Sequence, residues 1–456
     1  MANPSDRSGL PEAFSAIEGG STEEKISAHI NVAQTGTLDM LEERSDYAEG
    51  KWHAWSTVFG AWLIQFCAVG IITSFGVFEE FYTTTWLTKM SASSISWIGS
   101  AQIFLEYSIA PFAGKLLDHG YFRSIVITGC FLFVLSLALL SLAQENQYYQ
   151  AFLAQAIGMG LGVGILFLPT SLVSIKHFRS GHAFVIGIVD SSISLGGVIF
   201  SIMLNYLLHG SVGFAWGVRI AALITLVCFV IGYLMMYWPK KPFGGQTFAP
   251  ADTHSLGLRH FSQRDLPYIL TLCQGFIMSL GTFVPSFYVQ LFAEMHGTSK
   301  TLSFYALAVL NFSGMFGRIA PNYVGDRVGL LNVYIPRLTL TGVLCFAMLA
   351  AGTPQGLFLF AIFYGFFFGA TNSMYLPLVT SVTAGGTRIG FSLVPPAVAA
   401  LVGPPIAGSI LGPHYVWWQG ITFASVTMLA ATGICIWIKV LTDRAKTSHW
   451  TTSNRD

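Results

Sequence analysis

The chain has 456 residues, 53% of them apolar and 10% charged, with a net charge of +1. An average soluble domain carries about 25% charged residues. This composition excludes a disordered chain, a coiled coil and a collagen, and argues against a soluble enzyme, whose surface needs more charge. The near balance of 23 Lys plus Arg against 22 Asp plus Glu leaves no basic field for nucleic acid. A polytopic membrane protein is the predicted class.

Residues 1–50 are polar, acidic and rich in Ser and Gly, and read as a disordered tail. They hold no charged segment followed by an apolar one, so no cleaved signal peptide is expected. Charge-free stretches then follow at 54–78, 124–144, 146–175, 220–239 and 266–293. Two longer ones, 338–387 and 389–438, are each divided by turn residues, Gly352-Thr-Pro354 and Gly412-Pro413-His414. A spanning helix needs about 20 apolar residues, so each long stretch holds two. Segments 93–114, 183–208 and 301–323 carry one or two charges each. The prediction is all-α, with twelve spans near 53–80, 93–116, 123–144, 147–174, 181–208, 214–238, 264–293, 300–323, 331–351, 355–380, 387–411 and 415–440.

Lys and Arg concentrate on one side of these spans. The loops there hold Lys115, Arg123, Lys176, Arg179, Lys240, Lys241, Arg259, Arg264 and Arg327, whereas the opposite loops hold only Lys89 and Lys300. Both termini are therefore expected to be cytoplasmic. The expected division is a tail at 1–51, an N-terminal six-helix bundle at 52–238, a cytoplasmic loop at 239–263, a C-terminal bundle at 264–441 and a tail at 442–456. All six cysteines fall inside spans at spacings unlike a metal site, and read as packing residues.

The two halves repeat. Gly114-x3-Asp118-x-Gly120-x2-Arg123 follows span two, and Gly325-Asp326-Arg327-x-Gly329 follows span eight. Asp118 and Asp326 are 208 residues apart. So are Pro169 and Pro377, where spans four and ten are expected to break. So too are Gly196-Gly197 in span five and Pro404-Pro405 in span eleven. Parallel repeats of this kind place a substrate site between halves.

These turns and the 6+6 layout resemble the major facilitator superfamily. Further motifs resemble its monocarboxylate porter family, in particular the fungal branch. They are Glu49-Gly50 before Trp55, Ser74-Phe-Gly-Val-Phe78-Glu79, Ser96-Trp97-Ile-Gly-Ser100, Leu116-Leu-Asp-His-Gly-Tyr-Phe-Arg123, Ser194-Leu-Gly-Gly197 and Gly317-Arg318. The resemblance implies the major facilitator fold and rocking of two bundles around a central site. The chain departs from the family's proton-coupled lactate carriers, which place a Lys and an Asp where Thr73 and Gly314 stand here. Span five also lacks the Gly-Pro motif of drug antiporters.

Charge within a bilayer is costly, so each such residue is a candidate. Arg318 lies within about 10 Å of the cytoplasmic end of span eight at 1.5 Å per residue. It either holds a substrate carboxylate through its fork or snorkels to the interface. Asp190 sits about 13 Å into span five. As spans five and eight are neighbours in the resembled fold, Asp190 and Arg318 are candidates for a switchable ion pair. Glu106, mid-span two, is a second candidate for proton coupling, or an interfacial acid. Arg219 reads as an interface anchor. Asp118, Arg123, Asp326 and Arg327 read as gating residues, with a carboxylate near a neighbouring helix N-terminus. Gln155, Gln274 and Asn372 lie on cavity-lining spans of the resembled fold, and so are substrate-contact candidates. Gly158-x-Gly160-x-Gly162-x-Gly164 lacks the strand and Lys of a phosphate loop and reads as close helix packing. No cofactor, metal site or catalytic constellation is expected.

The first functional expectation is a secondary transporter of a small monocarboxylate-like anion, with proton symport as its candidate coupling, in the plasma membrane. The alternative is an efflux transporter of an acidic secondary metabolite. A nutrient sensor that does not transport is the alternative from another class.

Overall fold

Twelve helices form where the twelve apolar segments were expected in the computed structural model, which describes residues 51–237, 266–412 and 416–453. The tail at 1–50, the loop at 239–263 and residues Pro413 and His414 of the last turn lie outside the described residues. The helices are α1 (Lys51–Thr73, continued by Phe75–Phe81 and Tyr82–Trp86), α2 (Ala92–Ser108 and Ala110–Asp118), α3 (Phe122–Leu140) and α4 (Tyr148–Ala151, Phe152–Met159 and Gly160–Lys176). Next come α5 (His182–His209), α6 (Gly213–Met235), α7 (Leu266–Thr282 and Val284–Met295) and α8 (Lys300–Val328). The chain continues through α9 (Leu330–Ala347 and Met348–Ala350), α10 (Pro354–Ser373 and Tyr375–Val382), α11 (Gly386–Leu411) and α12 (Trp417–Ser453). The last helix thus runs past residue 441, into the segment expected to be a tail.

Eleven of these helices are long and apolar enough to cross a membrane. The twelfth, α2, is interrupted at Ile109. Large apolar side chains point outward, among them Phe131 on α3, Leu223 on α6, Phe363 on α10 and Trp437 on α12. Water would penalise such a surface, whereas lipid accepts it. The helices form two six-helix bundles. Residues 56–456 make one compact unit.

Three interruptions have the same cause. Proline lacks the N–H that would bond the carbonyl four residues earlier. Pro111 follows the break in α2 at Ile109, Pro285 that in α7 at Phe283, and Pro377 that in α10 at Met374. The expected break in α4 at Leu168-Pro169 is not there: Gly160–Lys176 is continuous through Pro169. The Gln65 amide of α1 lies over this turn and donates to Thr170 Oγ1 at 3.0 Å, Ser171 Oγ at 2.8 Å and the Phe167 carbonyl at 3.4 Å. These bonds tie the turn to α1; the carbonyl that Pro169 leaves without its helical partner is that of Ile165. The irregular part of α4 is instead a π-helical stretch over Phe152–Met159.

Candidate functional site

The two halves meet along α2 against α11 and α5 against α8, at the end that carries the Asp118 and Asp326 turns. Here α2 and α11 touch backbone to backbone, since a Cβ on Gly386 would lie 2.7 Å from the Gly114 carbonyl oxygen. On the other diagonal, a Cβ on Gly187 of α5 would lie 2.9 Å from the Asn322 amide nitrogen of α8. Only glycine permits such approach, and the bundles are closed on each other at this end.

Both turn carboxylates, expected from the sequence to be gating residues, sit across that closure. Asp118 accepts from the Gly386 N–H at 2.7 Å, the Thr387 N–H at 2.9 Å and the Thr387 hydroxyl at 2.7 Å. Asp326 accepts from the Ala183 N–H at 3.2 Å and the Phe184 N–H at 2.7 Å. Each aspartate therefore caps a helix of the opposite half, α11 and α5 respectively. The first N–H groups of a helix lack internal partners and carry partial positive charge, so a carboxylate is the matching cap. Arg327 stacks 4.3 Å from the Tyr323 ring centre on its own helix. Arg123 is the second residue of α3, five residues after Asp118.

Deeper in the molecule three charged side chains converge. Glu106 on α2 is 2% exposed, Asp190 on α5 is 4% exposed and Arg318 on α8 is 8% exposed. The three lie within electrostatic reach of one another. Arg318 is drawn into the bundle interface rather than out to the surface, and its Nε donates to Ser194 Oγ of α5 at 3.0 Å. Asp190 makes no direct ion pair with it. Asp190 Oδ1 and Glu106 Oε1 are both buried without a protein hydrogen-bond partner. The Ser373 hydroxyl of α10 is turned toward Asp190. Ser373 in turn accepts from Asn322 Nδ2 at 2.9 Å, which also bonds the Arg318 carbonyl at 2.7 Å. Two acids of the first half thus face one base of the second, through a frame of hydroxyls and one amide.

The uncharged candidates are placed differently. Gln155, in the π-helical stretch, is buried, and its Oε1 accepts from Tyr82 at 2.6 Å. Gln274 is buried inside the second half, where its Nε2 donates to the Tyr334 hydroxyl at 3.0 Å. Asn372 is half-buried and donates to the Phe368 carbonyl at 3.0 Å. Thr73 is exposed, its hydroxyl bonded to the Val69 carbonyl of its own helix at 2.8 Å. Gly314 faces Ser194 and Gly365. Arg219 donates to Ser141 Oγ at 3.4 Å and lies 4.9 Å from the Trp216 ring centre, as suits an anchor. Among the described residues no group of three or more His, Cys, Asp or Glu is placed to hold a metal ion.

Two buried residues were not singled out from the sequence. Gln102 lies one helical turn before Glu106 on α2, with both amide atoms unpartnered. Arg337, inside α9, is buried and unpartnered at all three guanidinium nitrogens. The signal for Arg337 was present, a charge seven residues into an apolar span. It borders the charge-free stretch that begins at residue 338, and so looks like a flank.

Comparison with known proteins settles the family. The model of the Major Facilitator Superfamily matches residues 54–392. The chain belongs to that superfamily. Relatives of this superfamily member include the aspyridones efflux protein of Emericella nidulans, 32% identical over 395 residues that cover 85% of this chain and 78% of the relative. The agnestins efflux protein of Paecilomyces divaricatus is 35% identical over 359 residues, covering 78% and 80% of the two chains. Among solved structures, the fucose:proton symporter of E. coli aligns with a TM-score of 0.66 at 17% identity, over 85% of this chain and 99% of that one. The human organic anion transporter MFSD10 aligns with a TM-score of 0.65 at 14% identity, over 84% and 99%. The superfamily member is a membrane transporter and not an enzyme. The sequence resemblance to the superfamily holds, and the curated relatives include efflux proteins and MFS-type transporters of fungi.

Proposed function

We propose that the chain exports an acidic secondary metabolite by alternating access, with Arg318 as the anchor for a substrate carboxylate and Asp190 and Glu106 as the proton-coupling acids. The observation that carries this reading is the buried meeting of Glu106, Asp190 and Arg318 between the two halves. A guanidinium presents a planar fork that matches a carboxylate, and desolvation strengthens the attraction. Two acids beside it compete with the substrate for that charge. Protonating them removes the competition, so proton and anion are carried in the same direction, and export runs when the metabolite's own outward gradient exceeds an opposing proton gradient.

The gating residues complete the cycle. With the Lys- and Arg-rich end taken as cytoplasmic, the Asp118 and Asp326 caps hold the cytoplasmic side closed. Opening toward the cytoplasm breaks both caps and lets the metabolite in. Reclosure restores them as the other side releases it. Arg123 and Arg327 tune these turns, and Asn372 is retained as a substrate contact. Gln155 and Gln274 fix bundle geometry through Tyr82 and Tyr334. The plasma membrane is the proposed location.

Import of a small monocarboxylate is the second reading, and the same Arg318 suits it. Thr73 and Gly314, where the lactate carriers place a Lys and an Asp, favour the exporter. So do the names of the curated relatives. The test is transport in proteoliposomes of labelled lipophilic aromatic acids and of labelled lactate, with and without an imposed pH gradient. The proposal expects gradient-driven movement of the larger acids that is abolished by Arg318→Gln. Movement of lactate alone would transfer the assignment to the monocarboxylate porter. Equal transport of the acids and their methyl esters would remove Arg318 as a carboxylate anchor.

A further inference from the structure

The second half contains a cation that the transport site does not use. Arg337 is 3% exposed, and none of Nε, Nη1 and Nη2 makes a hydrogen bond of normal geometry, the Tyr334 side chain being the one polar group in marginal reach. Its guanidinium lies 4.2 Å from the ring centre of Tyr334, one turn earlier on α9. Tyr334 is fully buried and is held by Gln274 of α7, whose Oε1 is also unpartnered. Cys435 of α12 is within electrostatic reach of the same guanidinium. The site therefore lies inside the second half, where α7, α9 and α12 pack together.

An arginine keeps its proton even when buried, so this position holds a full positive charge. A lone charge in such surroundings is strongly unfavourable, and it is stable only with a counter-charge or full hydrogen bonding. The described acids of this half are engaged or distant. Asp326 is bonded to the N-terminus of α5, Glu294 stands in the last turn of α7, some twenty residues beyond Gln274, and Asp443 is exposed on α12, eight residues beyond Cys435. One face of the guanidinium rests on Tyr334, which leaves its N–H edges as the donors.

We propose that Arg337 holds a small inorganic anion of the halide class inside the C-terminal bundle, with Tyr334 positioning the guanidinium. Burial selects the size of the ligand. A monatomic anion asks for little more room than one water molecule, whereas a metabolite carboxylate brings a larger molecule into a packed interior. The site is separate from the cluster around Arg318, so it stands whether or not the exporter reading does. Its effect is on stability: an anion that binds the folded state raises the melting midpoint as its concentration rises.

The test compares thermal melting of the purified full-length protein in sodium chloride, sodium bromide and sodium gluconate at one ionic strength. The expected result is a saturable rise of the midpoint with chloride or bromide, relative to gluconate. Arg337→Met removes that rise and melts in gluconate at or above the wild type, because no unpaired charge is left. Arg337→Lys retains a rise that needs several-fold more chloride. A bromide-soaked crystal of the unaltered protein adds a readout that needs no variant, an anomalous peak within contact of Arg337. Identical midpoints in chloride and gluconate, a chloride response that survives Arg337→Met, or no peak at saturating bromide would each overturn the proposal. So would displacement of bromide by a transported acid, which would make the site part of the substrate path.

Discussion

Arg318 and Arg337 are both arginines about ten residues from the end of an apolar helix, yet their surroundings differ. Arg318 has two acids within reach and a hydroxyl on its Nε, whereas Arg337 has an aromatic face and no acid. The first arrangement suits exchange of one anion for another. Replacing Arg318 with Lys keeps the charge but loses the fork. A charge-assisted hydrogen bond lost there is worth about 2 kcal/mol, so KM for an acidic substrate should rise about 30-fold. Transport kinetics of the Lys variant in proteoliposomes check this, and an unchanged KM would take the fork out of the mechanism. Asp190→Asn gives a neutral side chain that cannot release a proton. Its transport should lose dependence on an imposed pH gradient while downhill exchange of the acid persists. Full retention of gradient-driven accumulation would shift the coupling role to Glu106 alone.

At the scale of the helix, the decisive features are where backbones touch and which N-termini are capped. The contact between Gly114 and Gly386 leaves no room for a side chain. Gly386→Val should wedge α2 from α11, with an overpacking cost of about 1–3 kcal/mol against the closed state. It should lower the transport rate without preventing insertion, which expression level and chromatographic profile would show separately. The repeat was readable as 208-residue offsets, but its two prolines have different consequences. Pro377 accompanies a break at Met374, whereas Pro169 lies in a continuous helix that Gln65 braces from α1. The offset is a property of one segment at a time. The brace belongs to another helix, over a hundred residues earlier in the chain.

At the scale of the whole molecule, the proposed cycle makes the closure at the Asp118 and Asp326 end one side of an equilibrium between two arrangements. Each cap contributes about 0.5–2 kcal/mol, so losing both should shift that equilibrium by about 2 kcal/mol, roughly 30-fold. Spin labels at positions 120 and 384 should report a larger population of long distances in the Asp118→Asn, Asp326→Asn double variant than in the wild type. An unchanged distance distribution would make the caps structural ornaments of a closure held by the glycine contacts. The number of spans, the place of the turns and the internal repeat were all set by the sequence. A bilayer imposes a fixed length of apolar chain on every crossing, and that constraint is local. The tertiary structure alone decided that Glu106, Asp190 and Arg318 meet, that Gln155 and Gln274 turn into their own bundles, and that Arg337 is buried. Which face of a helix meets a neighbour depends on its rotation and packing, and these are fixed by contacts between segments far apart in the chain.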